Sequence, residues 1–314
     1  MNLQGKKVLV AGGTGLVGAN LALRLKDLGA NVRATYFSRK PSFLPENFKK
    51  FDFTELDQCL EATKDMQYVF ICAAQTFGAK IMKENPTALV LPNLRINSGL
   101  LEACRLNKVE KVVFISSSTV YQEAFFPIRE DELDLNIPTY DLYLGVGGMK
   151  RYIEQLCRFY FKTYGMKIGI VRPTNIYGPY DKFDDDKSHV LPALIKRALK
   201  KENPYVVWGD GYTVRDFIYV DDFVDALMNV LQRYCVCDPI NFSSGTSITI
   251  REAVGVILEA CGHPVGPRYD ERKPIAIPYR MLNTTKYNSI FGAKKQTSFA
   301  EGIQKTVAWY RSTL

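Results

Sequence analysis

Hydroxyl, ammonium and imidazole groups near a phosphate-sized turn are the first features of this chain that suggest chemistry. Ser117, Ser118 and Thr119 stand together in the run Ser116 to Tyr121, Lys150 lies further on, and His189 is one of only two histidines. Hydroxyls at a strand end facing a cofactor can donate to a substrate oxygen, although serine is equally at home in ordinary turns. Gly12, Gly15 and Gly18 recur every third residue after the apolar run Val8 to Val10. Gly12 suits a tight turn with positive φ, Gly15 a close approach of backbone N–H groups to a pyrophosphate, and Gly18 close packing of helix on strand. Thr14, Leu16 and Val17 lie among these glycines and are expected to line the same dinucleotide site, where a helix N-terminus favours an anion.

Such a turn needs an open sheet behind it. Apolar runs at residues 8–10, 31–37, 66–72, 112–115 and 167–171 read as buried strands, with helical segments at 19–28, 55–63, 92–106 and 149–164 between them. Strands alternating with helices predict a doubly wound parallel α/β sheet, with ligands at the carboxyl ends of its strands. The end of the second strand falls near Tyr36, followed by Ser38, Arg39 and Lys40 rather than an acidic residue. Two cations and a hydroxyl suit a 2′-phosphate, so NADP(H) is favoured over NAD(H). Asp52, beside Phe53, is placed to accept from the adenine amino group. Ala73 and Ala74 are small enough for backbone to lie against the cofactor, and Asn93 sits at the start of a long helix.

Composition narrows the class of protein. The chain has 314 residues, 46% hydrophobic and 24% charged, with no run of eighteen apolar residues. Neither a signal peptide nor a membrane span is expected. Seven scattered cysteines argue for a reducing, cytoplasmic setting, and no spacing suggests a metal site. The net charge of +8 comes from dispersed lysines and arginines, which fits an anionic small substrate better than nucleic acid. Arg197 and Arg215 offer paired N–H donors for an anion, while Arg215 also has Asp216, Asp221 and Asp222 near enough in sequence to pair with.

With these motifs in hand, the chain resembles the extended short-chain dehydrogenase/reductase family of nucleotide-sugar epimerases, dehydratases and reductases, and within it the enzymes of GDP-linked sugars, GDP-fucose synthases above all. The resemblance rests on Gly12 to Gly18, Ala73-Ala74, Asn93, Ser116 to Tyr121, Lys150, Arg172 to Pro179, Ser188 to Ile195, Val207-Trp208-Gly209 and Arg215 to Asp222. It implies a Rossmann-like domain over residues 1–171, with 216–245 returning to it, and a smaller sugar-nucleotide-binding lobe from 172–215 and 246–314. It implies further that Lys150 holds the nicotinamide ribose, that Pro173 and Asn175 border the cofactor, and that His189 is catalytic. Ser118, Asn175, His189, Val190, Arg197, Trp208 and Arg215 would meet the substrate. A homodimer through the helices at 92–106 and 149–164 follows from the same likeness, although Tyr152, Leu156, Tyr160 and Tyr164 equally suit an internal core.

The sequence departs from that family at two positions. Val146 occupies the place of the acid–base tyrosine four residues before the lysine, and valine has no proton to exchange. Tyr143 would substitute only if the backbone bent, which Gly145, Gly147 and Gly148, read as a divergent loop, would permit. Thr119 stands where fucose synthases carry an epimerising cysteine, which disfavours double epimerisation. Three readings follow: hydride transfer at C4 with Ser117, Thr119, His189 or water handling the proton; a C4 or C3/C5 epimerase; or a silent binder of dinucleotide and sugar nucleotide.

Overall fold

A computed structural model describes residues 3–76, 84–184, 188–273 and 277–314. Its centre is a seven-stranded sheet formed by β1 (Lys7–Ala11), β2 (Asn31–Tyr36), β3 (Phe48–Lys50), β4 (Tyr68–Ile71), β5 (Lys111–Ile115), β6 (Ile168–Pro173) and β11 (Ile240–Phe242). Their order across the sheet is β11-β6-β5-β4-β1-β2-β3, and every pairing is parallel. Strand order reverses between β1 and β4, which opens a crevice at their carboxyl ends.

Val8 to Ala11 are fully buried because both faces of the sheet are covered. On one face α2 (Leu56–Thr63), α3 (Leu91–Leu106) and α4 (Leu144–Tyr164) pack around Leu9, Phe114 and Ile170. On the other, α1 (Leu16–Asp27) and α6 (Val220–Arg233) cover Val8, Val10, Phe70 and Val113. A third apolar cluster lies among α5 (Val190–Leu199), β8 (Tyr205–Trp208), α7 (Ile250–Cys261) and α9 (Phe299–Arg311). Thr249-Ile250-Arg251-Glu252 has the spacing of a capping box, which predicts a helix from Ile250, and the box forms: Thr249 accepts from the Glu252 amide, and Glu252 from the Thr249 amide.

Several paired elements were not foreseen. β7 (Asn175–Tyr177) runs parallel to β10 (Phe217–Tyr219), β8 parallel to β13 (Pro267–Asp270), and β9 (Val214–Arg215) antiparallel to β12 (Ile248–Thr249). The short helix α8 (Thr285–Phe291) was also missed. Strands of two to four residues carry too few alternations to register as a period.

The expected glycine loop before Lys150 is corrected. Residues 144–148 form the first turn and a half of α4, so Gly145, Gly147 and Gly148 are helical. Gly147 is buried, and a Cβ there would stand 2.4 Å from the Thr119 carbonyl oxygen. Close approach of helix to strand end, rather than loop freedom, accounts for that glycine.

Candidate active site

The glycine turn closes as its spacing predicts. Gly12 has φ +84°, and a Cβ on it would lie 2.6 Å from Ala73 Cα. A Cβ on Gly18 would meet the Gly12 carbonyl at 2.2 Å, so α1 packs against the turn only because both positions are bare. Thr14 is buried, and Leu16 and Val17 are half-buried on the first turn of α1. Gly15 caps α1 without any side-chain hydrogen bond, which leaves first-turn N–H groups for an anion. β2 is tied to this turn: the Gly13 amide donates to Thr35 O at 2.7 Å and the Gly12 amide to Thr35 Oγ1 at 2.9 Å. Tyr36, Ser38 and Arg39 therefore follow directly beside the crevice, with Arg39 Nη1 donating to the Tyr180 carbonyl at 3.2 Å. A bare turn, uncapped amides and adjacent cations fit the diphosphate and adenosine end of a nicotinamide dinucleotide.

Of two expected cofactor contacts, Asn93 is fully engaged by the fold and Asp52 through one of its two oxygens. Asn93 is buried, and both of its Nδ2 hydrogens go to carbonyls, Gln75 O at 2.9 Å and Leu89 O at 2.7 Å, while Oδ1 accepts from the Gln75 amide. It anchors the segment carrying Ala73 and Ala74 and has no donor left for a ligand. Asp52 Oδ1 is taken by the amide and hydroxyl of Thr54, at 3.0 and 2.7 Å, beside a buried Phe53. Pro173 is buried at the end of β6, and Asn175 is exposed, its Nδ2 donating to Asp216 O at 3.0 Å.

At the carboxyl end of β5, Ser117 Oγ accepts from both the amide and the hydroxyl of Thr119, at 3.1 and 3.0 Å. With both of these bonds accepted, the Ser117 hydroxyl still has its own proton to donate. Ser118 is buried behind them. Lys150 Nζ donates to Ile115 O at 2.7 Å and stands 4.6 Å over the Phe114 ring. Desolvation lowers its pKa to about 8, against a smaller upward pull from Glu154. Glu154, one turn further along α4, forms a fully buried pair with Arg172 at 2.6 Å and receives the Ser116 hydroxyl at 2.5 Å. The helix and the strand end are thereby joined.

Tyr143 forms the N-cap of α4. Burial raises its pKa, opposed by the charges of Arg215 and Arg280, which it faces. Those two arginines are the strongest electrostatic feature of the cleft. Arg215 is buried and donates Nη1 to Val214 O at 2.8 Å, with none of the pairing to Asp216, Asp221 or Asp222 that sequence proximity allowed. Asp216 instead accepts the Ser244 and Gly245 amides. Arg280 is buried, donates Nη1 to Gln122 O at 3.1 Å, and has no partner for Nε or Nη2 among the described residues. Each guanidinium is strained by burial, and Arg215 adds repulsion at Arg280. Two such cations call for an anion between them.

Arg280 escaped sequence reading, although a lone arginine inside the run Ile277 to Leu282 was a signal. Arg197, by contrast, was expected at the diphosphate and is engaged within its own lobe, with Nε on Glu202 and Nη1 on Val206 O, both at 2.6 Å. Trp208 is exposed, with Lys273 5.8 Å from its ring centroid. His189 and Val190 open α5 and are exposed. Although its surface reaches solvent, His189 is closely surrounded by protein, and this desolvation and then the charge of Lys182 lower its pKa to about 4.

Residues 8–239 match the NAD dependent epimerase/dehydratase family. The chain belongs to that family. It is 31% identical over 318 residues to a probable GDP-L-fucose synthase 1 of Oryza sativa subsp. japonica, spanning 98% of this chain and 92% of the relative. Identity to a dTDP-4-dehydro-6-deoxy-D-allose reductase of a Streptomyces species is 29% over 320 residues, 98% of this chain and 97% of that one. Among solved structures, a UDP-glucose 4-epimerase with UDP-glucose from Thermotoga maritima superposes with a TM-score of 0.86 at 26% identity, covering 98% and 99% of the two chains.

Proposed function

We propose that the protein is an NAD(P)-dependent oxidoreductase acting at C4 of a nucleotide-diphosphate sugar, with GDP-linked sugars and NADP(H) as its partners. The observation that carries this reading is the buried pair Arg215 and Arg280, which share the field of Tyr143 and of which Arg280 keeps two unpaired nitrogens. A sugar nucleotide would set its diphosphate on the guanidiniums and its sugar toward Ser117. Arg39 and Ser38 favour the 2′-phosphate.

A bound nicotinamide supplies or accepts hydride. The Lys150 ammonium, which spends one N–H on Ile115 O, keeps two for ribose hydroxyls. Ser117 gives its own proton to the sugar oxygen, and Thr119, already donating to Ser117, replaces it from solvent. His189 is neutral at pH 7 and serves as an acceptor or hydrogen-bond partner rather than a proton source. Trp208 and Val190 offer apolar surface to the sugar nucleotide. Tyr143 steadies the diphosphate through Arg215 and Arg280.

An apolar face on α3 and α4, with Leu91, Tyr152, Phe159 and Tyr164 exposed, supports a homodimer. Seven free thiols support a cytoplasmic location. Incubation with GDP-linked 4-keto sugars and NADPH, followed at 340 nm, tests the activity. Oxidation of NADPH with a reduced sugar product is expected. A changed sugar configuration without net cofactor turnover would indicate epimerisation, and binding with neither outcome a silent protein.

A further inference from the structure

Beyond the cleft chemistry, one carboxyl group is placed at unusual cost. Asp181 is 6% exposed; Oδ1 accepts the Lys182 amide at 2.7 Å, and Oδ2 is buried with no hydrogen-bond partner among the described residues. A buried carboxylate with an empty lone-pair site is normally selected against unless a charge compensates it. Among the described residues the charged groups that act on it are Lys182 and Arg39, and burial outweighs both, pushing its pKa up to about 7.

The segment carrying Asp181 crosses the dinucleotide crevice. Asn20 Nδ2 on α1 donates to Pro179 O at 3.0 Å, and the Tyr180 ring lies 4.8 Å from Phe43, in the loop after β2. Lys182 Nζ reaches Thr76 Oγ1, just beyond β4, at 2.9 Å. Arg39, the cation expected at a 2′-phosphate, donates to the carbonyl of Tyr180, the residue joined directly to Asp181. A ligand charge at Arg39 therefore falls within the field of Asp181.

We propose that Asp181 is a positioning residue that governs the response to the 2′ substituent of the dinucleotide: it shares Arg39 with a 2′-phosphate, so the phosphorylated cofactor binds with uptake of a proton at Asp181. The proposal rests on the dinucleotide reading above. A dianion brought to Arg39 repels an ionised Asp181 and raises its proton affinity, so binding and protonation are linked. A 2′-hydroxyl brings no charge and creates no linkage at Asp181.

Calorimetric titration of the full chain with NADP+ and with NAD+, between about pH 7 and 9 and in two buffers of different ionisation enthalpy, tests this. The phosphate's own second ionisation, near ~6, lies below that window. Lys150 gives both dinucleotides a common pH dependence in this window; beyond it, NADP+ is expected to take up more protons than NAD+ and to weaken more steeply with rising pH, by up to about tenfold per pH unit for a fully linked additional proton. Asp181→Asn should abolish the excess uptake with NADP+ and bind NADP+ severalfold more tightly than the unaltered protein at the alkaline end. Equal proton uptake with both dinucleotides, or an NADP+ excess that survives in D181N, overturns the proposal while leaving the cofactor reading intact. Failure of both dinucleotides to bind overturns the cofactor reading and this inference with it. Should D181N not fold, the two-buffer comparison on the unaltered protein decides alone.

Discussion

The Lys150 ammonium rests 2.7 Å from the Ile115 carbonyl, one helical turn beyond Val146 on the same face of α4. A proton-exchanging group at position 146 would thus share the Lys150 neighbourhood, and the valine there packs partly against the core instead. Val146→Tyr is expected to raise the turnover of a C4 reduction by about tenfold to several hundredfold, within the range general acids contribute. Steady-state rates with NADPH and a GDP-linked keto sugar check it. An unchanged rate would show that Ser117 already supplies all the proton transfer the site can use.

Lys150 has its pKa lowered to about 8 by desolvation, so its charge is lost in an accessible range. Cofactor affinity should decline as pH rises through about 8, and Lys150→Met should weaken binding and flatten that decline. The sign for stability is opposite. Between the folded value and the higher unfolded one, the unfolded chain binds the proton more tightly, so this group makes the fold gain stability with rising pH. Chemical denaturation of K150M and the unaltered protein across that interval measures the difference.

Removing Arg280 takes away a buried guanidinium with two free nitrogens. Arg280→Gln should raise KM for the sugar nucleotide about 10- to 100-fold, the cost of a charge-assisted hydrogen bond, with little effect on dinucleotide affinity. Arg197→Gln, whose guanidinium serves Glu202 and Val206 instead, should leave KM nearly unchanged. Reversal of those two results would reject the assignment of the anion cradle.

Gly147→Ala drives a methyl group to 2.4 Å from Thr119 O. Helix and strand end must separate, at about 1–3 kcal/mol, and the Ser117–Thr119 hydroxyl pair moves with them. A loss of turnover larger than the loss of dinucleotide affinity is expected. Gly148→Ala, which meets nothing within 4 Å, is the matched control and should be neutral or slightly stabilising.

The breaking of a buried ion pair is a separate matter of stability. Glu154→Gln leaves Arg172 uncompensated beside Tyr121, and denaturant unfolding should show a loss of about 3–5 kcal/mol.

The glycine turn, the parallel sheet, the capping box at Thr249 and the helices flanking the sheet could be read from the chain because each rests on local rules. Period, turn chemistry and caps act over a few residues, and a strand buried on both faces advertises itself as an apolar run. The same locality explains the misreadings. Three glycines before Lys150 look like a loop to any local rule, yet Gly147 is bare because Thr119, 28 positions earlier in the numbering, presses its carbonyl against the helix.

Residue types alone determined that a dinucleotide-sized anion would meet uncapped amides and that hydroxyls would cluster at a strand end. Which charges were free was decided only by packing. Asn93 and Arg197 have the chemistry to bind ligands and spend it on carbonyls and a carboxylate, whereas Arg280, inconspicuous in an apolar run, keeps two nitrogens unpaired next to Arg215. Hydrogen-bonding capacity is written in the side chain, but its allocation depends on neighbours brought together from distant parts of the chain.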